Sequence, residues 1–238
     1  MQSKKHIRIA VALFLAVELI VAILFLWTSM GYGRLLRFLS VALACLFCLL
    51  FRERTWVYVT TQLGLFLSVG ADAFLTLPSS PIQLPGVLCF AAAYLACAAR
   101  LYVSESRPHR RKAQICWRVA VSCAAVVITV LVLGKGIDAL AVAAVFCYVN
   151  LVLNFCFACT QFRQQAFMAM GLLLFMVSDA ILGLLFAKPY FALVENPLLD
   201  SIIHSGVDLV WAFYLPAQVL LALSLVPARL KSLPGAES

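Results

Sequence analysis

Eight apolar runs fill this chain from end to end, at residues 7–27, 35–51, 56–77, 82–103, 115–133, 137–160, 166–187 and 206–226. About 17–25 apolar residues wound as a helix cross a hydrocarbon core of ~30 Å. Backbone in lipid must satisfy its own N–H and C=O groups, and a helix does so within one segment. The runs therefore predict an all-α, polytopic transmembrane helical bundle of eight spans, with 1–238 a single integral membrane domain. The connecting segments hold fewer than twenty residues each, which leaves no soluble domain. Of the 238 residues 65% are hydrophobic and 12% charged, too few polar groups to clothe a soluble surface. The first run follows "MQSKKHIR", contains Glu18 and lacks a small-residue cleavage site, so it reads as a retained span.

Sorting the 18 Lys and Arg by loop accounts for the net charge of +8 without a nucleic acid. With a cytoplasmic N-terminus, the inner side holds Lys4, Lys5, Arg8, Arg52, Arg54, Arg100, Arg107, Arg110, Arg111, Lys112, Arg118, Arg163, Arg229 and Lys231. The outer side holds only Arg34, Arg37, Lys135 and Lys188. This positive-inside bias puts both termini in the cytoplasm and fits a multi-pass protein of the cell membrane. The densest cluster, "RPHRRK" at 107–112, suits the headgroups of anionic membrane lipids.

All nine cysteines fall inside the runs, against a disulfide framework. Cys45/Cys48 and Cys156/Cys159 form two CxxC pairs, but four spans separate them in apolar sequence, where small soft side chains fill helix contacts. With only three scattered histidines, neither a metal nor an organic cofactor is expected.

Against this background Asp179 stands out, in "GLLLFMVSDAILGLLF" with no basic residue nearer than Lys188. A carboxylate in hydrocarbon costs several kcal/mol and marks a functional position. It has a twin. "GLFLSVGADAFL" (64–75) and "GLLLFMVSDAIL" (171–182) align without a gap, pairing Gly64 with Gly171 and Asp72 with Asp179. The next runs continue the match, "GVLCFAAAYL" (86–95) against "GVDLVWAFYL" (206–215), with Tyr94 opposite Tyr214. The pattern predicts a 4+4 parallel repeat about an axis along the membrane normal. Asp72 then lies ~8 Å, and Asp179 and Tyr214 ~12 Å, below the outer surface. Thr61, Ser68, Asp72 and Thr76 form one stripe, and Trp211, Tyr214 and Gln218 another. Asn150 and Asn154 form a third polar face, read as packing between helices.

Two carboxylates close together in low dielectric cannot both ionise cheaply, so one keeps its proton while the other stays a base. That division serves acid/base hydrolysis of acetal-like bonds. The same acids also suit a proton relay in a small-solute or proton-coupled transporter, or a hydrogen-bonded pair that only joins helices.

"GADAFL", "LLFMVSDAIL" and "WAFYLPAQVLLALS" together resemble the YhhN/lysoplasmalogenase family of eight-span membrane proteins. The matching residues are Asp72, then Ser178 and Asp179, then Tyr214, Ala217 and Gln218. Departures are Ala71 between Gly70 and Asp72, Tyr94 where the family often carries histidine, and Arg37 without a proline near the start of the second span. The resemblance implies hydrolysis of the vinyl ether of a lysophospholipid substrate, giving a fatty aldehyde and a glycerophospho-base. Asp72 and Asp179 would be the catalytic pair, with Tyr214, Gln218, Ser178, Tyr94 and Trp211 around the substrate. Glu18, near the middle of the first run, has no role in this scheme.

Overall fold

The computed structural model describes residues 4–27, 30–51, 55–187 and 208–227. Arg52, Arg54, Lys188, Arg229 and Lys231 of the charge count, His204, and the start of the last predicted run lie outside the described residues. Among the described residues, eight α-helices stand at the eight predicted runs: α1 Lys4–Trp27, α2 Met30–Leu49, α3 Trp56–Thr76, α4 Gln83–Ser104, α5 Pro108–Leu133, α6 Ala139–Thr160, α7 Phe162–Ala187 and α8 Leu209–Leu223. Among the described residues there is no strand. Among the described residues six helices (α1 and α3 to α7) are long and apolar enough to cross a membrane, where eight spans are expected. The 20-residue α2 carries Arg34 and Arg37 in its first half, and α8 has only 15 residues. Leucines and isoleucines such as Leu13, Leu19, Ile20 and Leu131 cover the outer surface, where lipid rather than water receives them.

Local signals set the helix ends. Asp138 caps α6, its Oδ1 accepting from the Ala141 amide at 2.7 Å. Gly134, at φ +53°, ends α5 in a conformation that side chains rarely adopt. Pro108 opens α5, where its missing N–H costs nothing. The helix therefore starts within the basic segment, before the apolar run begins.

The packing order carries the repeat. α3 packs on α4, and α7 on α8; α2 on α3, and α6 on α7; α1 on α2, and α5 on α6. Between the halves α4 packs on α6, and α8 on α2. Advancing every label by four helices, cyclically, turns each of these pairs into another of them. The bundle thus has a pseudo-two-fold arrangement around α3, α4, α7 and α8, with α1 and α5 at the periphery. On α1 the buried residues Ile7, Phe14, Glu18 and Val21 fall on one stripe facing α2, and Phe14 stacks on Phe47 at 4.2 Å between centroids.

The polar positions read as packing do pack. Thr61, Ser68 and Thr76 return their hydroxyls to carbonyls four residues earlier. Asn154 Nδ2 donates to the Tyr94 carbonyl at 2.9 Å, tying α6 to α4, and Asn150 reaches Ser122 on α5 at 3.2 Å. Glu18, left unassigned by the sequence, accepts from Ser40 Oγ on α2 at 2.5 Å. Cys45 and Cys48 are buried while Cys156 and Cys159 are exposed, and all four are free thiols.

Two arginines depart from expectation. Arg100 and Arg118, counted as inner-side charges, stand within α4 and α5 and turn inward. Arg100 is 2% exposed and ties α4 to α3, α7 and the C-cap of α8, reaching Thr61 Oγ1 (3.0 Å), Gln165 Oε1 (2.8 Å) and Ser224 Oγ (2.5 Å). Arg118 donates to Asn154 Oδ1 at 2.7 Å and lies over the Phe157 ring. A guanidinium can satisfy its fork with neutral oxygens, so position along the chain does not reveal its depth.

Candidate active site

Asp72 lies one turn before the end of α3, on the stripe that faces the interior, and is 2% exposed. Asp179 lies on α7 and is half-buried. The Tyr214 hydroxyl donates to Asp72 Oδ2 at 2.6 Å, and the Tyr94 hydroxyl donates to Asp179 Oδ2 at 2.6 Å. Each acid takes its phenol from the other half of the chain: Asp72 and Tyr94 belong to the first half, Asp179 and Tyr214 to the second. Phe175 packs against both tyrosines, so the two acid–phenol pairs stand on either side of one ring. The four residues matched by the repeat are thus brought into one cluster, as their shared spacing predicts.

An aromatic wall encloses the cluster. The Phe175 ring meets Tyr94 and Tyr214 edge-on, at 5.4 and 4.9 Å between centroids. Phe90 meets Phe175 edge-on at 5.8 Å and packs against both tyrosines. The sequence reading missed Phe90 and Phe175. Each stands four residues before a site residue, Tyr94 and Asp179, so a one-turn step back along each helix would have found them.

The remaining predicted residues are also here. Trp211 packs edge-on against Tyr214 at 5.1 Å. Gln218, one turn beyond Tyr214, is fully buried, and among the described residues neither of its amide atoms has a hydrogen-bond partner. A buried, unpaired amide is costly unless a ligand or water completes it. Ser178 differs from its neighbours: its hydroxyl donates to the Val210 carbonyl at 2.8 Å, pinning α7 to α8.

Glycines let the helices approach. A Cβ on Gly171 would come within 3.0 Å of the Ala217 carbonyl and 3.1 Å of Leu221. Its twin Gly64 is looser, with the Ala93 carbonyl at 3.5 Å. From Tyr94 to Arg100 runs a cavity of about 20 Å³, lined also by Thr61, Gly64, Ser68 and Cys97. It has room for about one water. Among the described residues no three His, Cys, Asp or Glu side chains gather to hold a metal ion.

These features define a class: a helical membrane bundle with two acid–phenol pairs at the centre of a pseudo-two-fold packing arrangement. The chain belongs to the YhhN family, which it matches over residues 32–225, from α2 to the end of α8. The helix that carries Glu18 lies outside the match. No curated protein and no solved structure matches the chain.

Proposed function

We propose that this protein is an intramembrane hydrolase of lysolipid vinyl ether bonds, releasing a fatty aldehyde and a glycerophospho-base. The observation that carries the reading is the crossed pair Asp72–Tyr214 and Asp179–Tyr94, at 2.6 Å each, enclosed by aromatic rings. Membership of the YhhN family supports it.

A vinyl ether is cleaved by adding a proton to the carbon remote from oxygen, which leaves an oxocarbenium centre at the carbon next to it. Water adds there and gives up a proton, forming a hemiacetal. The hemiacetal then collapses: its hydroxyl proton is removed, the carbon–oxygen bond to glycerol breaks, and the glycerol oxygen is protonated. A protonated aspartate supplies the first proton, and an ionised partner accepts the one from water. The two titrate as a pair. The electron-rich faces of Phe90 and Phe175 favour the developing cation, and the wall they form with the tyrosines suits an alkenyl chain. A lipid reaches such a site sideways between helices. The substrate site lies in the outer half of a cell-membrane protein with both termini in the cytoplasm.

The test is aldehyde release from a lysoplasmalogen by the purified protein in detergent, beside Asp72→Asn and Asp179→Asn. Both substitutions should lower the rate by about 10²-fold or more while thermal unfolding midpoints hold. A wild-type protein that releases no aldehyde across headgroups and chain lengths would remove the proposal. The transporter alternative needs a polar path to both surfaces. The cavity beside Tyr94 is only about 20 Å³ and is lined on one side by Leu65, Leu172 and Leu221.

A further inference from the structure

Above the acid–phenol cluster, toward the start of α8, sits an ion pair that the chemistry does not use. Arg37 Nη2 of α2 meets Asp208 Oδ2 at 2.6 Å. The guanidinium also lies 5.0 Å from the Phe25 ring centroid and 4.9 Å from that of Trp211. Its Nε is buried and has no hydrogen-bond partner among the described residues. A guanidinium beside two aromatic rings, paired through one Nη and with its Nε left over, can take a phosphate through two parallel hydrogen bonds. Asp208 supplies one carboxylate oxygen to that guanidinium and leaves it incomplete.

The position matters as much as the chemistry. Asp208, Trp211 and Tyr214 follow one another at three-residue steps on α8. Trp211 touches both Arg37 and Tyr214, and Tyr214 holds Asp72. From Asp208 to Tyr214 the helix rises ~9 Å. Trp211 bridges that interval, touching Arg37 on one side and Tyr214 on the other. In a glycerol-based lysolipid, five bonds separate the ether oxygen from phosphorus, roughly 6 Å at ordinary bond lengths. A phosphate on Arg37 would set the ether at the level of Asp72.

We propose that Arg37 is the anchor for the phosphate of the lipid substrate, and that Asp208 holds the place of that anion until the lipid displaces it. The inference rests on the hydrolase reading for the identity of the lipid, but not for the existence of the anion site. It makes phosphate-bearing lysolipids the substrate class and neutral alkenylglycerols poor substrates.

Two non-hydrolysable ligands test it, a long-chain 1-alkylglycerol and its 3-phosphate, each titrated calorimetrically into the full-length protein in detergent. The wild type should bind the phosphate form at least tenfold more tightly, and added salt should shrink the gap because the pair is partly exposed. Arg37→Gln should abolish the preference while leaving the affinity for the neutral ligand within about twofold. Asp208→Asn, which removes the resident anion, should widen the preference. Arg37→Gln protein that unfolds at the wild-type temperature yet keeps the preference would overturn the proposal. So would an unchanged preference in Asp208→Asn, which decides the matter if Arg37→Gln does not fold. Aldehyde release is scored separately: phosphate preference without turnover sinks the hydrolase and keeps the anchor, and turnover without phosphate preference does the reverse.

Discussion

The tyrosines fix the carboxylates in place. Replacing Tyr214 by Phe removes one hydrogen bond to Asp72 and almost no volume, so about 1 kcal/mol of stability should be lost. On the hydrolase proposal, aldehyde release should fall by roughly tenfold or more, because the carboxylate would no longer be held in place for the reaction. Tyr94→Phe should do the same at Asp179, and comparing the two rates measures how nearly the site is symmetric. These four residues were legible because aspartate and tyrosine are conspicuous in apolar sequence and recur at common spacings. Phe90 and Phe175 were not, since 17 phenylalanines in such a chain give no contrast. Arg100 was misread for a different reason. Position in the chain placed it near a loop, whereas neutral acceptors on α3, on α7 and at the C-terminal end of α8 draw it inside.

At the level of the helix, the two glycines that mark the repeat are predicted to behave differently. Gly171→Ala forces a methyl group against a carbonyl and Leu221, neither of which can step aside cheaply, and should destabilise by about 1–3 kcal/mol. Gly64→Ala meets only ordinary contacts and should be neutral, or stabilising by up to ~1 kcal/mol through helix propensity. Thermal unfolding of the two variants in one detergent checks both. The helices themselves were readable as runs of apolar residues; their ends were less so. α5 begins seven residues before its apolar run because a Pro-led, basic turn is as helical as the segment it precedes, and hydropathy does not register it. The start of α7 bends at Gln165, whose φ of −120° and ψ of 25° are not helical, inside what the sequence presents as an uninterrupted connection.

Across the whole molecule, the charge asymmetry predicts that a reporter fused to the C-terminus reports from the cytoplasmic side, as one on the N-terminus does. A C-terminal fusion active only outside would invert the bundle and place the Arg37 anchor in the opposite leaflet. The count excludes little else, because Arg100 and Arg118 prove to be interior groups rather than loop charges. The helical bundle and its internal repeat were visible before any coordinate, since both follow from apolar run length and from one acid per half. The exchange of hydrogen bonds between halves was not, because alignment shows which residues correspond but not which ones touch. That exchange bears on descent. If the two halves derive from one ancestral four-helix protein, that ancestor carried each acid in one copy and the phenol that holds it in another. It could have worked only as a homodimer, and gene fusion would then have turned an assembly that depended on concentration into one that survives at a single molecule per membrane.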